Sequence, residues 1–215
     1  MKILKLNLFQ ETACYKKPLG LVAETYPLPP YSTVIGMFHK ILQAKNGEYF
    51  DMNISVQGEY ESIFSNYQNL RMYKGKDKVT SMPRNVHQLL NINLVIHVQA
   101  EDEVIDKIYK NIVNGNETFS LGRHEDMVRI DGIKYVQNVE QVKRTQANRN
   151  TYVPLDKLGE DMPGINYNIN TVYHVTPDNL RIYEKVKVKY IEEDSNILLK
   201  NVLKDEDGDY IIFYK

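Results

Sequence analysis

The feature that most constrains this chain is the order in which two periodicities alternate along it. Over residues 2–10, Leu4, Leu6 and Leu8 alternate with Lys5 and Asn7, the period of a half-buried strand. A loop closing on Pro27, Pro29 and Pro30 follows. Val34, Ile35, Met37, Phe38, Ile41 and Leu42 then fall at helical spacing through about Lys45, with Ser32 or Thr33 placed to cap the helix. Ile54, Val56 and Tyr60 mark a second strand, and Leu90, Ile92, Leu94, Ile96 and Val98 a third. Glu101 and Asp102 favour a helix start, and Val104, Ile105, Ile108, Tyr109, Ile112 and Val113 form its apolar stripe. A fourth strand is predicted from Met127 to Asp131. Strand, helix, strand, strand, helix, strand is the split βαβ arrangement, so the pattern predicts an α+β, ferredoxin-like βαββαβ domain.

One connection does not fit a minimal version of that fold. About 25 residues separate strands two and three, where hairpin loops usually take 2–5. Loops of that length inside a compact domain carry function or are disordered. The expectation is a long β-hairpin arm over residues 61–88. From Lys143 onward short β patterns dominate, with Val186, Val188 and Tyr190 alternating with lysines and a last strand at Ile211–Phe213. The predicted organisation is one domain over 1–140 and a small C-terminal β region over 141–215.

Charge is uneven although the net charge is only −1. Arg71, Lys74, Lys76, Lys78 and Arg84 cluster in the arm against Asp77, and seven carboxylates crowd residues 192–209 against Lys200 and Lys204. Opposed patches let one side meet a polyanion, and they equally describe two solvated loops. A 42% hydrophobic content supports a core. Cys14 stands alone, so no intrachain disulfide forms. The N-terminus has no signal-peptide pattern and no apolar run has spanning length, so a soluble cytoplasmic protein without membrane contact is expected. The five histidines lack metal-ligand spacing, and neither a phosphate-binding glycine loop nor a dinucleotide fingerprint occurs, which points to no metal and no cofactor. His87 and His97 share a strand face with Asn91 and Asn93, read as a polar sheet face covered by another element.

Two segments carry chemistry. In TYPLPPYSTVIGMFHKI (Thr25–Ile41), prolines set the helix entry, and Tyr31, Ser32 and Thr33 sit beside N–H groups suited to phosphate. Gly36 leaves room for a close backbone. An ordinary capped core helix reads the same way. In SLGRHEDMV (Ser120–Val128), a glycine turn presents Arg123 and His124 before a strand. Arginine there suits phosphate or base stacking, or an ion pair with Glu125 or Asp126.

At these segments the chain resembles the Cas five family of CRISPR proteins. Thr25–Met37 is similar to that family's proline-rich entry into a Ser-Thr-Val-Ile-Gly helix start, and Leu121–Glu125 to its Leu-Gly-Arg loop. Met82–Leu90 resembles the return from its arm, and size and flavour most resemble the type I-B branch. The ordered matches cover residues 1–135, and the last third resembles the family only in character. The resemblance implies a RAMP/RRM-like domain whose arm, the thumb, folds over the start of the guide. It implies a subunit of a type I effector complex, Cascade, that holds the 5′ handle of crRNA. It further implies docking against the backbone and large subunits and indirect contact with target DNA. The implied RNA-binding residues are Tyr31, Ser32, Thr33, Arg71, Lys74, Lys76, Lys78, Arg84, Arg123 and His124.

In one branch of the family the subunit cuts repeat RNA without metal, using Tyr, Lys and His. Here Tyr31, His39 and His124 are possible participants, but no Lys-His pair occurs and His39-Lys40 is the reverse order. The expectation is a non-catalytic subunit. A metal-independent repeat endoribonuclease and a protein–protein assembly module without RNA binding are the alternatives.

Overall fold

The computed structural model describes residues 1–18, 22–45, 47–75, 78–158, 162–178, 180–193, 195 and 197–215. It is mostly β, with two α-helices. Strand β1 (Lys2–Ala13) leads through the proline loop to α1 (Tyr31–Ile41). Two long strands, β2 (Asn53–Tyr73) and β3 (Val79–Ala100), then form one hairpin. Helix α2 (Asp102–Val113), the short β4 (Phe119–Ser120) and β5 (Met127–Tyr135) complete the first part. The predicted elements thus keep their order. The strands lie β5-β1-β3-β2 in the sheet, each antiparallel to its neighbour.

The core forms because the even positions of β1 and of the body half of β3 are apolar. Leu4, Leu6, Leu8, Ile92, Leu94, Ile96 and Val98 are buried with Val34, Phe38, Ile41, Ile105 and Ile108 of the helices. The first helix is shorter than expected. It begins at Tyr31, directly after Pro30, with no side-chain cap, so Ser32 and Thr33 lie inside the first turn. It ends at Ile41 because Gln43 turns to φ +55, where the amides of Gln43 and Ala44 return to the Lys40 and His39 carbonyls.

The C-terminal third contributes strands to both sheets. Strands β7 (Asn150–Pro154), β9 (Arg181–Ile191) and β8 (Ile165–Val175) extend the main sheet beyond β2, giving eight strands in the order β4-β5-β1-β3-β2-β7-β9-β8. The predicted boundary at 140/141 is crossed where Gln57 and Gly58 pair with Thr151 and Asn150. Strands β6 (Val139–Gln146), β10 (Leu198–Asp205) and β11 (Tyr210–Ile211) form a small second sheet.

That second sheet covers the polar face of the first. Ser55 accepts the Ile212 amide, Gln57 donates to the Tyr210 carbonyl, and His97 Nε2 lies 3.1 Å from Asp205. Lys5 is fully buried there, with its Nζ at 2.7, 2.8 and 2.6 Å from Asp205, Asp207 and Asp209. Burial alone would favour the neutral amine. The three carboxylates reverse this and hold Lys5 above the usual lysine range. Burial opposes the Asp205 charge too, but His97, Lys5 and the Asp209 amide hold it well below the usual carboxylate range. Lys134 pairs with Glu206 and Asp207, and Arg149 with Asp209. Part of the acidic C-terminal block is therefore an internal clamp. No helix among the described residues is long and apolar enough to cross a membrane.

Candidate nucleic-acid interface

The arm is the continuation of β2 and β3 past the body. Its ladder runs without a register break from Ser62↔Leu90 to Tyr73↔Val79. Asn91, at φ +47 with its side-chain amide on Glu61, bends β3 where the arm departs. From Asn66 outward the hairpin reaches roughly 25 Å at strand rise. The Lys74 amide on the Lys78 carbonyl and Gly75 at φ +80 shape its end.

The two faces of the arm differ. Near the body the even side is half-buried or buried at Phe64, Asn66, Gln68, Arg84, Val86 and Gln88. On the odd side Leu89 is buried and His87 half-buried at the base, and beyond them that side is open. Tyr67 is 68% exposed and Tyr73 74%, with Ile63 and Val79 also exposed and Arg71 between the tyrosines. Alternation puts Tyr67, Arg71 and Tyr73 on one face. Exposed rings with a cation between them are what base stacking and phosphate contact require.

Arg71, Lys74 and Lys78 are exposed, and the structure gives them no carboxylate within ion-pair distance among the described residues. Lys74 and Lys78 stand together at the tip, and Lys76 lies outside the described residues. Arg84 does not join them. It lies on the even side opposite Gln68, half-buried, with its Nε enclosed and without a hydrogen-bond partner among the described residues.

Two of the segments quoted from the sequence, Met82–Leu90 and Ser120–Val128, meet at the base of the arm together with the loop that precedes the third. The Ala23 amide donates to the Asn85 carbonyl and the His87 amide to the Ala23 carbonyl, so the loop before α1 braces β3. Cys14, Ala23 and Val86 pack together beneath it. The glycine turn closes the other side, with Gly122 at φ +115. Arg123 reaches the arm through Nη1 to Gln68, at 3.4 Å, and Gln68 and Asn66 both donate to Gln88.

Arg123 is nevertheless occupied. Its Nη2 and Nε bind the two oxygens of buried Asp126 at 2.7 and 3.1 Å, and Nη1 lies 3.0 Å from Glu125. Asp126 also accepts the amides of Arg123 and Cys14. Partial burial opposes the guanidinium charge, and Asp126 more than restores it, leaving the Arg123 pKa raised. Of the two sequence readings, the ion pair is the one present. The guanidinium, 19% exposed, is a brace between the glycine turn and the arm. His124 is exposed at the tip of that turn.

Tyr31 needs correction. It is fully buried, stacked on Tyr214 at 4.7 Å and edge-on to Tyr152, and burial pushes its hydroxyl far above the usual tyrosine range. The first residue of α1 points into the core, so its side chain is unavailable to RNA. Ser32 and Thr33 are half-buried beside it. Gly36 is exposed, and a Cβ there would meet nothing within 4 Å, so no described part of this chain uses the space. His39 is held in the fold, Nδ1 on the Ile35 carbonyl and Nε2 accepting the Phe50 amide. Sequence reasoning missed Tyr67 and Tyr73. The two tyrosines share odd parity in β2, a signal that emerges only when the segment is treated as strand. Among the described residues, no group of three or more His, Cys, Asp or Glu side chains is arranged to hold a metal ion.

An antiparallel sheet carrying two helices, extended by a cationic, aromatic hairpin, is the class that fold and site define. The sequence matches the family described as CRISPR-associated protein (Cas_Cas5) over residues 3–187. The chain belongs to that family, the Cas five proteins. Its fold is similar to a chain of a CRISPR RNA-guided surveillance complex, at 12% identity, TM-score 0.61 and 90% of each chain covered. It is also similar to a CRISPR protein from Archaeoglobus fulgidus, at 11% identity, TM-score 0.51 and 99% of each chain covered. At these identities the likeness is one of fold. No curated protein sequence matches the chain.

Proposed function

We propose that this protein is a non-catalytic, cytoplasmic subunit of a type I CRISPR effector complex, of the I-B branch, that holds the 5′ handle of crRNA. In this reading β5-β1-β3-β2 with α1 and α2 is a ferredoxin-like, RAMP/RRM-like core, and the hairpin is its thumb. The backbone and large subunits flank it, and target DNA is reached through them. The observation that carries the proposal is the open face of the arm, with Tyr67, Arg71 and Tyr73 in line and Lys74 and Lys78 exposed at its end, without a carboxylate partner among the described residues. Exposed rings and free cations supply sequence-tolerant stacking and phosphate contacts to a single strand.

Burial of Tyr31 and engagement of both His39 nitrogens support the non-catalytic reading, because neither group can reach a 2′-hydroxyl without unfolding its surroundings. The test is co-expression with the other subunits and a repeat array, purification in chelator, and sequencing of the RNA retained. Guides sharing one repeat-derived 5′ end are expected. A complex that assembles fully without RNA favours the assembly-module reading. Specific cleavage of repeat RNA by the isolated chain favours the ribonuclease.

A further inference from the structure

The eight-stranded sheet has an edge that is almost bare. On its inner side β5 pairs with β1 from Phe9↔Arg129 to Leu4↔Tyr135. On its outer side it pairs with β4 at two positions, Phe119↔Val128 and Ser120↔Met127. Beyond Val128 no described strand covers that side. The end of α2 runs beside this bare stretch. Between them lies a groove of about 500 Å³, walled by Ile112, Val113, Phe119, Val128, Ile130 and Ile133. Val113 is 53% exposed at its lip. A strand edge next to an apolar groove and a helix is the arrangement that captures extended peptides. The edge supplies main-chain hydrogen bonds, and the groove takes one side chain of each alternating pair.

The charges around the groove select the occupant. Its charged lining residues are Glu117 and Asp131, with no cation among them. Asp131 is shared with Arg129, whose guanidinium lies over the Phe9 ring. Glu117 has no ion-pair or hydrogen-bond partner among the described residues. Glu117 thus leaves the lining one uncompensated carboxylate, which favours a cationic occupant and separates this surface from the cationic arm. The edge is also bent, because Asp131 is an extra residue between Ile130 and Gly132 in the register with β1. Such a bulge discourages flat edge-to-edge pairing of whole sheets and leaves room for a short strand.

We propose that the outer edge of β5 and the end of α2 form a strand-addition site for an extended, basic segment of another protein, which seats one apolar side chain in the Ile112–Phe119–Ile130 groove. The site does not depend on RNA binding by the arm. The probe is a synthetic acetylated Lys-Val-Lys-Val-Lys-Val-Lys amide, with the Glu-Val counterpart as control, titrated into the isotope-labelled full chain and followed by amide NMR. The basic peptide is expected to shift the amides of residues 129–134 and of Ile112 and Val113, and to bind at least tenfold more tightly than the acidic one. Glu117→Lys should reverse or abolish that preference. Val113→Ser should weaken the basic peptide several-fold. Both positions are exposed, so both variants should fold, and neither should alter RNA retention. Equal binding of the two peptides overturns the proposal, as do shifts confined to the acidic turn at residues 205–209 and a Glu117→Lys variant with unchanged preference.

Discussion

Two groups of charges lie at opposite ends of the same long hairpin, and they are built in opposite ways. At the body end, Lys5 is buried among Asp205, Asp207 and Asp209, with His97 of β3 on Asp205 and with Lys134 and Arg149 on the outer carboxylates. At the arm end, Arg71, Lys74 and Lys78 stand exposed without a carboxylate among the described residues. Charges enclosed with their counter-ions hold elements together, here the small sheet against the open face of the large one. Charges left in water without counter-ions add little to stability and remain available to a partner. Arg123 joins the first group, although in sequence it resembles the second.

The comparison breaks first at Lys5. Lys5→Met leaves three carboxylates facing a thioether, and removing one partner of a buried charge cluster costs on the order of 3–5 kcal/mol. Urea unfolding should show that loss. The same cluster sets a pH window. Asp205 has a lowered folded pKa, so its contribution is complete above the ordinary carboxylate range, near pH 4, and fades as pH falls through the folded value. Lys5 has a raised pKa, so its contribution is complete below about pH 10 and fades as pH rises through the folded value. In Lys5→Met the alkaline part of that dependence should shrink.

Next in size is Arg123→Ala, which strands buried Asp126 and should cost about 1–3 kcal/mol. Amide exchange near Gln68 and Gln88 should quicken with it. Gly36→Ala is smaller and opposite in sign. The helix gains up to about 1 kcal/mol because the added methyl meets open space. A Gly36→Ala chain that is more stable alone yet assembles poorly would show that another subunit uses the space beside α1. Neutralising Arg71, Lys74 and Lys78 to Gln should change stability by no more than about 0.5 kcal/mol, which is the sharpest contrast with Lys5.

The local periods made β1, α1, α2 and the body half of β3 legible, since each has one buried face. The arm was legible as a length and a charge cluster. Its apolar pattern is weak because Leu70 and Met82 on one face, and Tyr67 and Tyr73 on the other, are all exposed. The entry of β7 into the main sheet was not legible. It rests on two residue pairs, Gln57↔Thr151 and Gly58↔Asn150, more than 90 positions apart. Gly58, which makes one of those pairs, is itself fixed from the other side, since a Cβ there would lie 2.3 Å from the Asn93 carbonyl oxygen of β3. The cations of the candidate site could be read from sequence, but not which carboxylate holds each. Asp126 is three residues from Arg123, and only the turn geometry chooses it over Glu125 as the bidentate partner. The carboxylates that hold Lys5 lie some two hundred residues away, beyond the reach of any local pattern.

The claim that the exposed cations of the arm meet RNA is tested most directly by the salt dependence of binding. The RNA that co-purifies with the complex is titrated against the native chain and against the Arg71, Lys74 and Lys78 to Gln variant at several salt concentrations. Removing one cation from a phosphate should flatten the slope of log affinity against log salt by about 0.7. The account expects a slope shallower by roughly 2 in the triple variant, with unchanged urea stability. An unchanged slope with unchanged stability would contradict it, because the cations would then touch neither the fold nor the RNA.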